Sequence, residues 1–161
     1  MTNFTGANVM NAGDASNYQA DIYTFGLSST SSEVAFFITQ TTNDILRELR
    51  IKWWPTYKSN IYTDITVLNT AEMVNTKVNL DQFTRAGVYL FLSRYFLPSL
   101  TKFRPEADKD RFERMIEFYT SQYNKEMQTI LEDGVEYDSD AGGTISTSER
   151  EPLHGLRRLN R

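Results

Sequence analysis

One segment limits the fold more than any other: LDQFTRAGVYLFLSRYFL, residues 80–97. Leu80, Phe83, Val88, Leu90, Phe91, Leu92, Tyr95 and Phe96 recur so densely that a helix through them is apolar nearly all round. Such a helix sits at the centre of a bundle or is shared between subunits. Asn79-Leu-Asp-Gln82 resembles a capping box, so the spacing predicts a helix over 79–97 that stops before Pro98. Gly87 in its middle costs about 1 kcal/mol relative to alanine unless a close backbone contact requires it.

Two amphipathic helices are expected to flank this one. Thr30-Ser-Ser-Glu33 fits a capping box, and Val34, Phe37, Ile38, Thr41, Ile45 and Leu49 follow at helical spacing, which predicts a helix over 31–51. Pro55 disfavours helix at Trp54. The adjacent Trp53 and Trp54 read as packing or interface anchors. The longest helix is expected over 105–133, roughly 40 Å at 1.5 Å per residue. Pro105, Glu106 and Asp108 suit its first turn. Phe112, Met115, Ile116, Tyr119, Tyr123, Met127, Ile130 and Leu131 form its apolar stripe, and Gly134 supplies the left-handed terminus. A helix this long either protrudes or packs along a neighbouring copy.

The remaining segments carry weaker signals. Residues 1–29 have the Asn, Thr, Ser, Gly and Ala content of a loop, with at most a short strand at DIYTF, 21–25. They read as an extended arm, ordered against a neighbour or not ordered at all. IYTDITVL, 61–68, is expected as a short strand or extended connector, and AEMV, 71–74, as a single turn. The fold class is therefore mostly α: a three-helix bundle over 30–134, an N-terminal arm over 1–29, and an acidic Gly-rich loop with a basic tail over 135–161.

The tail REPLHGLRRLNR, 150–161, carries four Arg against one Glu, with Leu153, Leu156 and Leu159 spaced by three. Together with Arg157, Arg158 and Arg161 these leucines make an amphipathic basic peptide that suits an acidic, apolar groove. The plain alternative is a solvated tail.

Charge and composition exclude several function classes. The net charge is −4, which argues against broad capture of nucleic acid. The chain has no cysteine, so disulfides, thiolate catalysis and Cys-ligated zinc are excluded. No run resembles a signal peptide or membrane span, and a soluble chain is the default reading. The single histidine, His154, lies in the tail beside Gly155. There is no phosphate-cradling loop and no nucleophile elbow. Carboxylates such as Glu106, Asp110 and Glu113 alternate with Lys109 and Arg114, as on a solvated helix face. No enzyme chemistry is expected.

One stretch does carry a possible site. DSDAGGTISTSE, 138–149, matches much of the EF-hand loop template. Asp138 and Asp140 take positions 1 and 3, Gly143 the sharp bend, Thr144 the backbone-carbonyl position, Ser146 a water-mediated position, and Glu149 the bidentate position. Gly142 stands where a side-chain oxygen normally contributes. No second loop pairs with it, and Pro152 cuts short an exiting helix. The stretch is either a weak calcium site, with affinity on the order of 10⁻⁴ M or poorer, or an acidic turn closed by Asx-type hydrogen bonds.

The order LDQFTRAGVYLFLSRYFLPSLTKF, then FERMIEFYTSQYNKEMQTILEDGVEYD, then SDAGGTISTSE and RRLNR resembles tailed-bacteriophage head–tail connector (adaptor) proteins. The resemblance covers residues 80–161 and rests on that order and on GVEYDSDAGGTIS. It implies a structural virion protein without catalysis, made in the host cytoplasm and carried in the neck at the head–tail junction. It implies a ring of twelve copies beneath the portal protein that contacts the stopper or tail terminator. It also implies double-stranded DNA passing through the lumen without specific binding, and docking of Glu149–Arg161 on the portal.

Overall fold

The computed structural model describes residues 8–24, 32–100, 111–146 and 149–151, and these are mostly helical. The chain is described first where Val9 and Met10, both buried, lead into helix α1, Ala12–Tyr18. Asn11 and Asp14 close a reciprocal capping box: the Asn11 side chain accepts from the Asp14 N–H at 3.1 Å, and Asp14 accepts from the Asn11 N–H at 2.7 Å. A 3₁₀ turn over Ala20–Tyr23 follows, with Ile22 fully buried. Residues 8–24 are thus neither an extended arm nor a strand. Their few apolar side chains are too sparse to show a period, yet Val9, Met10, Ala15 and Ile22 all enter the core. The Val9 N–H also donates to Thr42 Oγ1 at 3.1 Å.

Helix α2, Ser32–Lys52, buries Val34, Ile38, Thr41, Thr42, Ile45, Leu46 and Leu49, the face expected from its periodicity. Thr30, its expected cap, lies outside the described residues. The chain breaks only at Trp53 and resumes as α3, Trp54–Ile61, with Pro55 in its first turn, where no N–H is needed. Of the expected strand or connector at 61–68, residues 62–64 are a short non-helical link with Tyr62 and Asp64 extended, and the chain is helical from Ile65. Asp64 accepts from the Thr66 N–H at 2.8 Å and caps α4, Ile65–Thr70. Local capping here outweighs the β preference of Ile65, Thr66 and Val67. The single turn expected at 71–74 does not form: these residues have no regular structure, with Ala71 and Val74 extended, and a 3₁₀ turn falls next, at Asn75–Lys77.

The central apolar run does lie inside the bundle, but it is not one uniform helix. A 3₁₀ turn over Leu80–Phe83 leads into α5, Thr84–Leu90, then a π-helical stretch over Phe91–Phe96, then α6, Leu97–Leu100. The helix does not stop before Pro98. In a regular α-helix Pro98 would leave the Arg94 carbonyl unbonded and press its ring against it. The π stretch changes that register: the Leu97 N–H bonds the Leu92 carbonyl, five residues back.

Helix α7, Arg111–Asp133, packs along α5 and the π stretch and buries Tyr119, Tyr123, Met127, Ile130 and Leu131. The expected start at 105 lies outside the described residues. Gly134 ends the helix at φ 105°, a left-handed conformation that glycine adopts without strain. A two-stranded antiparallel ribbon closes the fold, pairing β1, Val135–Glu136, with β2, Arg150–Glu151.

Trp53 and Trp54 are core residues, 1% and 6% exposed, and are not interface anchors. Trp53 packs on Tyr57 with ring centroids 4.4 Å apart, and both tryptophans pack on Tyr137 at 5.6 and 5.5 Å. Trp54 Nε1–H donates to the Ala71 carbonyl at 3.2 Å, so its one polar atom is satisfied.

Candidate site in the 138–149 turn

The turn is mounted on the ribbon and on the segment before α5. Val78 bridges Tyr137 in antiparallel sense. The Asn79 N–H donates to the Glu136 carbonyl at 3.0 Å, and the Asp138 N–H donates to the Lys77 carbonyl at 2.8 Å. Lys77 Nζ donates to the Ser139 carbonyl at 2.8 Å. Arg150 on β2 pairs with Glu136 on β1 across the ribbon. Both ends of the loop are therefore held to the bundle.

The fold brings Asp138, Asp140 and Glu149 together, one carboxylate oxygen of each lying within 4.8 Å of the others. Asp138 and Glu149 are buried; Asp140 is exposed. Each carboxylate faces backbone N–H groups of its own loop. Asp138 accepts from Gly142 and Gly143 through its two oxygens, both at 2.9 Å. Asp140 accepts from Gly142 at 2.7 Å. Glu149 Oε1 accepts from the N–H and hydroxyl of Ser139 at 2.7 and 3.0 Å and from the Asp140 N–H at 3.3 Å. Its Oε2 accepts from the N–H and hydroxyl of Ser146 at 2.9 and 2.8 Å.

These donors, led by the Ser146 N–H, hold the Glu149 carboxyl well below its usual 4.5, at about 2. The same two Glu149 oxygens are the ones a bidentate cation ligand would offer. Of the other template positions, Ser146 joins the cluster through Glu149, while Thr144 is exposed. The backbone turns through positive φ at Ala141, 61°, and Gly143, 73°. A Cβ at Gly142 would sit 2.8 Å from Asp140 Oδ1, the end of an exposed side chain that can swing aside, so space alone does not require glycine there. Within the loop the carboxylates accept N–H groups that have no backbone partner, as in an Asx-type turn, and the same three side chains are close enough together to hold a cation.

The tail residues read as a docking peptide, Leu153, Leu156, Arg157, Arg158, Leu159 and Arg161, lie outside the described residues. Periodicity and motif reading missed a second polar cluster, where phenols meet carboxylates beside α2. Tyr123 donates to Glu48 at 2.5 Å and Tyr95 to Asp44 at 2.6 Å. Burial, then the carboxylate partner, pushes the Tyr95 phenol up to about 12 and the Tyr123 phenol higher still. Arg94 and Lys52 neutralise the same two carboxylates, at 3.4 Å from Asp44 and 2.6 Å from Glu48. Charges matched this closely make a structural seam between helices. No helix among the described residues is long and apolar enough to cross a membrane. No family model matches the sequence, and no curated protein or solved structure matches it.

Proposed function

We propose that this chain is a structural, non-catalytic adaptor of a tailed-phage neck, acting in a ring of copies between the portal and the stopper or tail. The observation that carries this reading is the mount at 135–151. The segment on which the family resemblance rests is a turn tied to Lys77 and Asn79 and closed on its own backbone. A turn built this way has no reacting group to offer. What it does is set the point and direction at which the basic tail leaves the bundle. The acidic balance of the chain suits a channel wall along which DNA slides without counterion-release binding.

The test is removal of residues 152–161, which leaves both ribbon strands in place. The shortened chain keeps its helical circular dichroism and no longer co-sediments with the portal protein of the same virion. Unchanged co-sedimentation would overturn the docking role.

A second reading is a small calcium-binding module. It draws on the convergence of Asp138, Asp140 and Glu149. Calorimetric titration with calcium separates the two: micromolar binding lost in Glu149→Gln supports the module, and no heat at millimolar calcium supports the adaptor.

A further inference from the structure

The chain carries two surfaces of opposite character at opposite ends of α7. The first is the excursion over residues 61–74. Its exposed side chains include Ile61, Ile65 at 71%, Val67 and Val74. Its only charges are Asp64 and Glu72. Helix α4, within it, buries none of its residues. Helices far shorter than about 12 residues are marginal in water unless packing holds them, so a six-residue helix presenting isoleucine and valine to solvent lacks a covering surface. The excursion returns to the bundle beside Tyr137, whose hydroxyl accepts from the Val74 N–H at 3.2 Å.

The second surface is a groove of about 410 Å³ at the start of α7, lined by Arg111, Arg114, Met115, Phe118, Tyr119 and Gln19. Arg111, Arg114, Met115 and Phe118 follow at i, i+3, i+4 and i+7 and so share one helix face. Phe118 is 56% exposed. Glu113, in the same turns, lies on the other side of the helix.

We propose that the 61–74 excursion of one copy seats in the α7 groove of the next, its isoleucine and valine side chains against Phe118 and Met115 and its acidic charges facing Arg111 and Arg114. Tyr137 lies just beyond the C-terminal end of α7 and the groove lies at its N-terminal end, so roughly 30 Å of helix separates them. One molecule cannot satisfy both surfaces by itself. Because the two faces differ, the contact is heterologous and repeats from copy to copy, closing a ring where the rotation allows. This deepens the adaptor reading by naming the faces through which copies meet. Its test uses the chain alone, so failure of self-association and failure of portal binding are separate results.

The experiment is sedimentation velocity on the full chain, on Ile65→Asp and on Phe118→Asp. Both positions are exposed, and circular dichroism checks that each variant folds. The unsubstituted chain associates with rising concentration, and each variant alone is weakened by about tenfold or more. An equimolar mixture of the two variants restores one intact face of each kind, so it forms dimers and nothing larger. A chain that stays monomeric up to roughly 1 mM, the weak end of specific association, overturns the proposal. So do variants that associate like the parent, or a mixture that stays monomeric.

Discussion

Val9 rests against the bare backbone of Gly87: a Cβ at Gly87 would stand 2.7 Å from Val9 Cγ2 and 3.4 Å from Val9 Cβ. Both residues are buried. This contact explains a glycine in the middle of the central helix and ties the N-terminal residues to the bundle. Gly87→Ala gains about 1 kcal/mol of helix propensity but forces apart a packed contact, at a cost of about 1–3 kcal/mol. The overpacking wins, and the variant is expected to melt lower. In a Val9→Ala background the clash is gone and Gly87→Ala becomes neutral or stabilising. A double-mutant cycle by chemical denaturation reads the coupling; additive effects would show that the two residues do not touch.

Acid should loosen the 138–149 turn in a defined window. The Glu149 carboxyl is lowered from 4.5 to about 2 by its N–H and O–H donors. A depressed folded-state value means stability that is present above 4.5 and is lost as pH falls toward 2. Melting temperature followed across that range should fall, and Glu149→Gln should remove this contribution to the slope. The same substitution turns an amide toward donors that need an acceptor and costs about 1–3 kcal/mol at neutral pH. An identical acid profile in parent and variant would rule out Glu149 as the responsible group.

Tyr119 is buried on the α7 stripe, and its hydroxyl donates to Gln19 Oε1 at 2.9 Å. Tyr119→Asp places an unpaired charge there and is expected to unfold the bundle. Tyr119→Phe keeps the ring, loses one hydrogen bond, and costs about 1 kcal/mol. Circular-dichroism melts separate the two. A normal melt for the aspartate variant would mean that this face of α7 is not core.

Trp53→Ala removes a side chain that is 1% exposed and packed on Tyr57 and Tyr137. The expected loss is about 3–5 kcal/mol of stability, as for other aromatic truncations in a core. If Trp53 instead served only contacts between copies, the isolated chain would melt normally and only its assembly would suffer.

Much of the bundle was legible because its signal is local. The faces of α2 and α7 follow from apolar residues recurring at 3.6, and Gly134 marks the end of α7 because only a left-handed turn fits there. The central position of residues 80–97 follows from a helix with no polar face. The 138–149 stretch was visible as a cluster of carboxylates and glycines, but its residue types suit a cation loop and an N–H nest equally. What the residue types did not show is that the Ser139, Asp140, Gly142, Gly143 and Ser146 N–H groups all turn toward these carboxylates, because that direction is set by the folded backbone.

The sequence by itself determined a mostly helical bundle, its three main apolar faces, and the presence of an acidic turn before a basic tail. Tertiary structure decided the rest, because each remaining choice depends on a residue distant in the chain. Val9, Met10, Ala15 and Ile22 become core only because the bundle offers them a place, with Gly87 leaving room for Val9. Trp53 and Trp54 turn inward because Tyr137, beyond α7, packs on them. A short apolar pattern states that a residue prefers burial; which surface buries it is settled by packing.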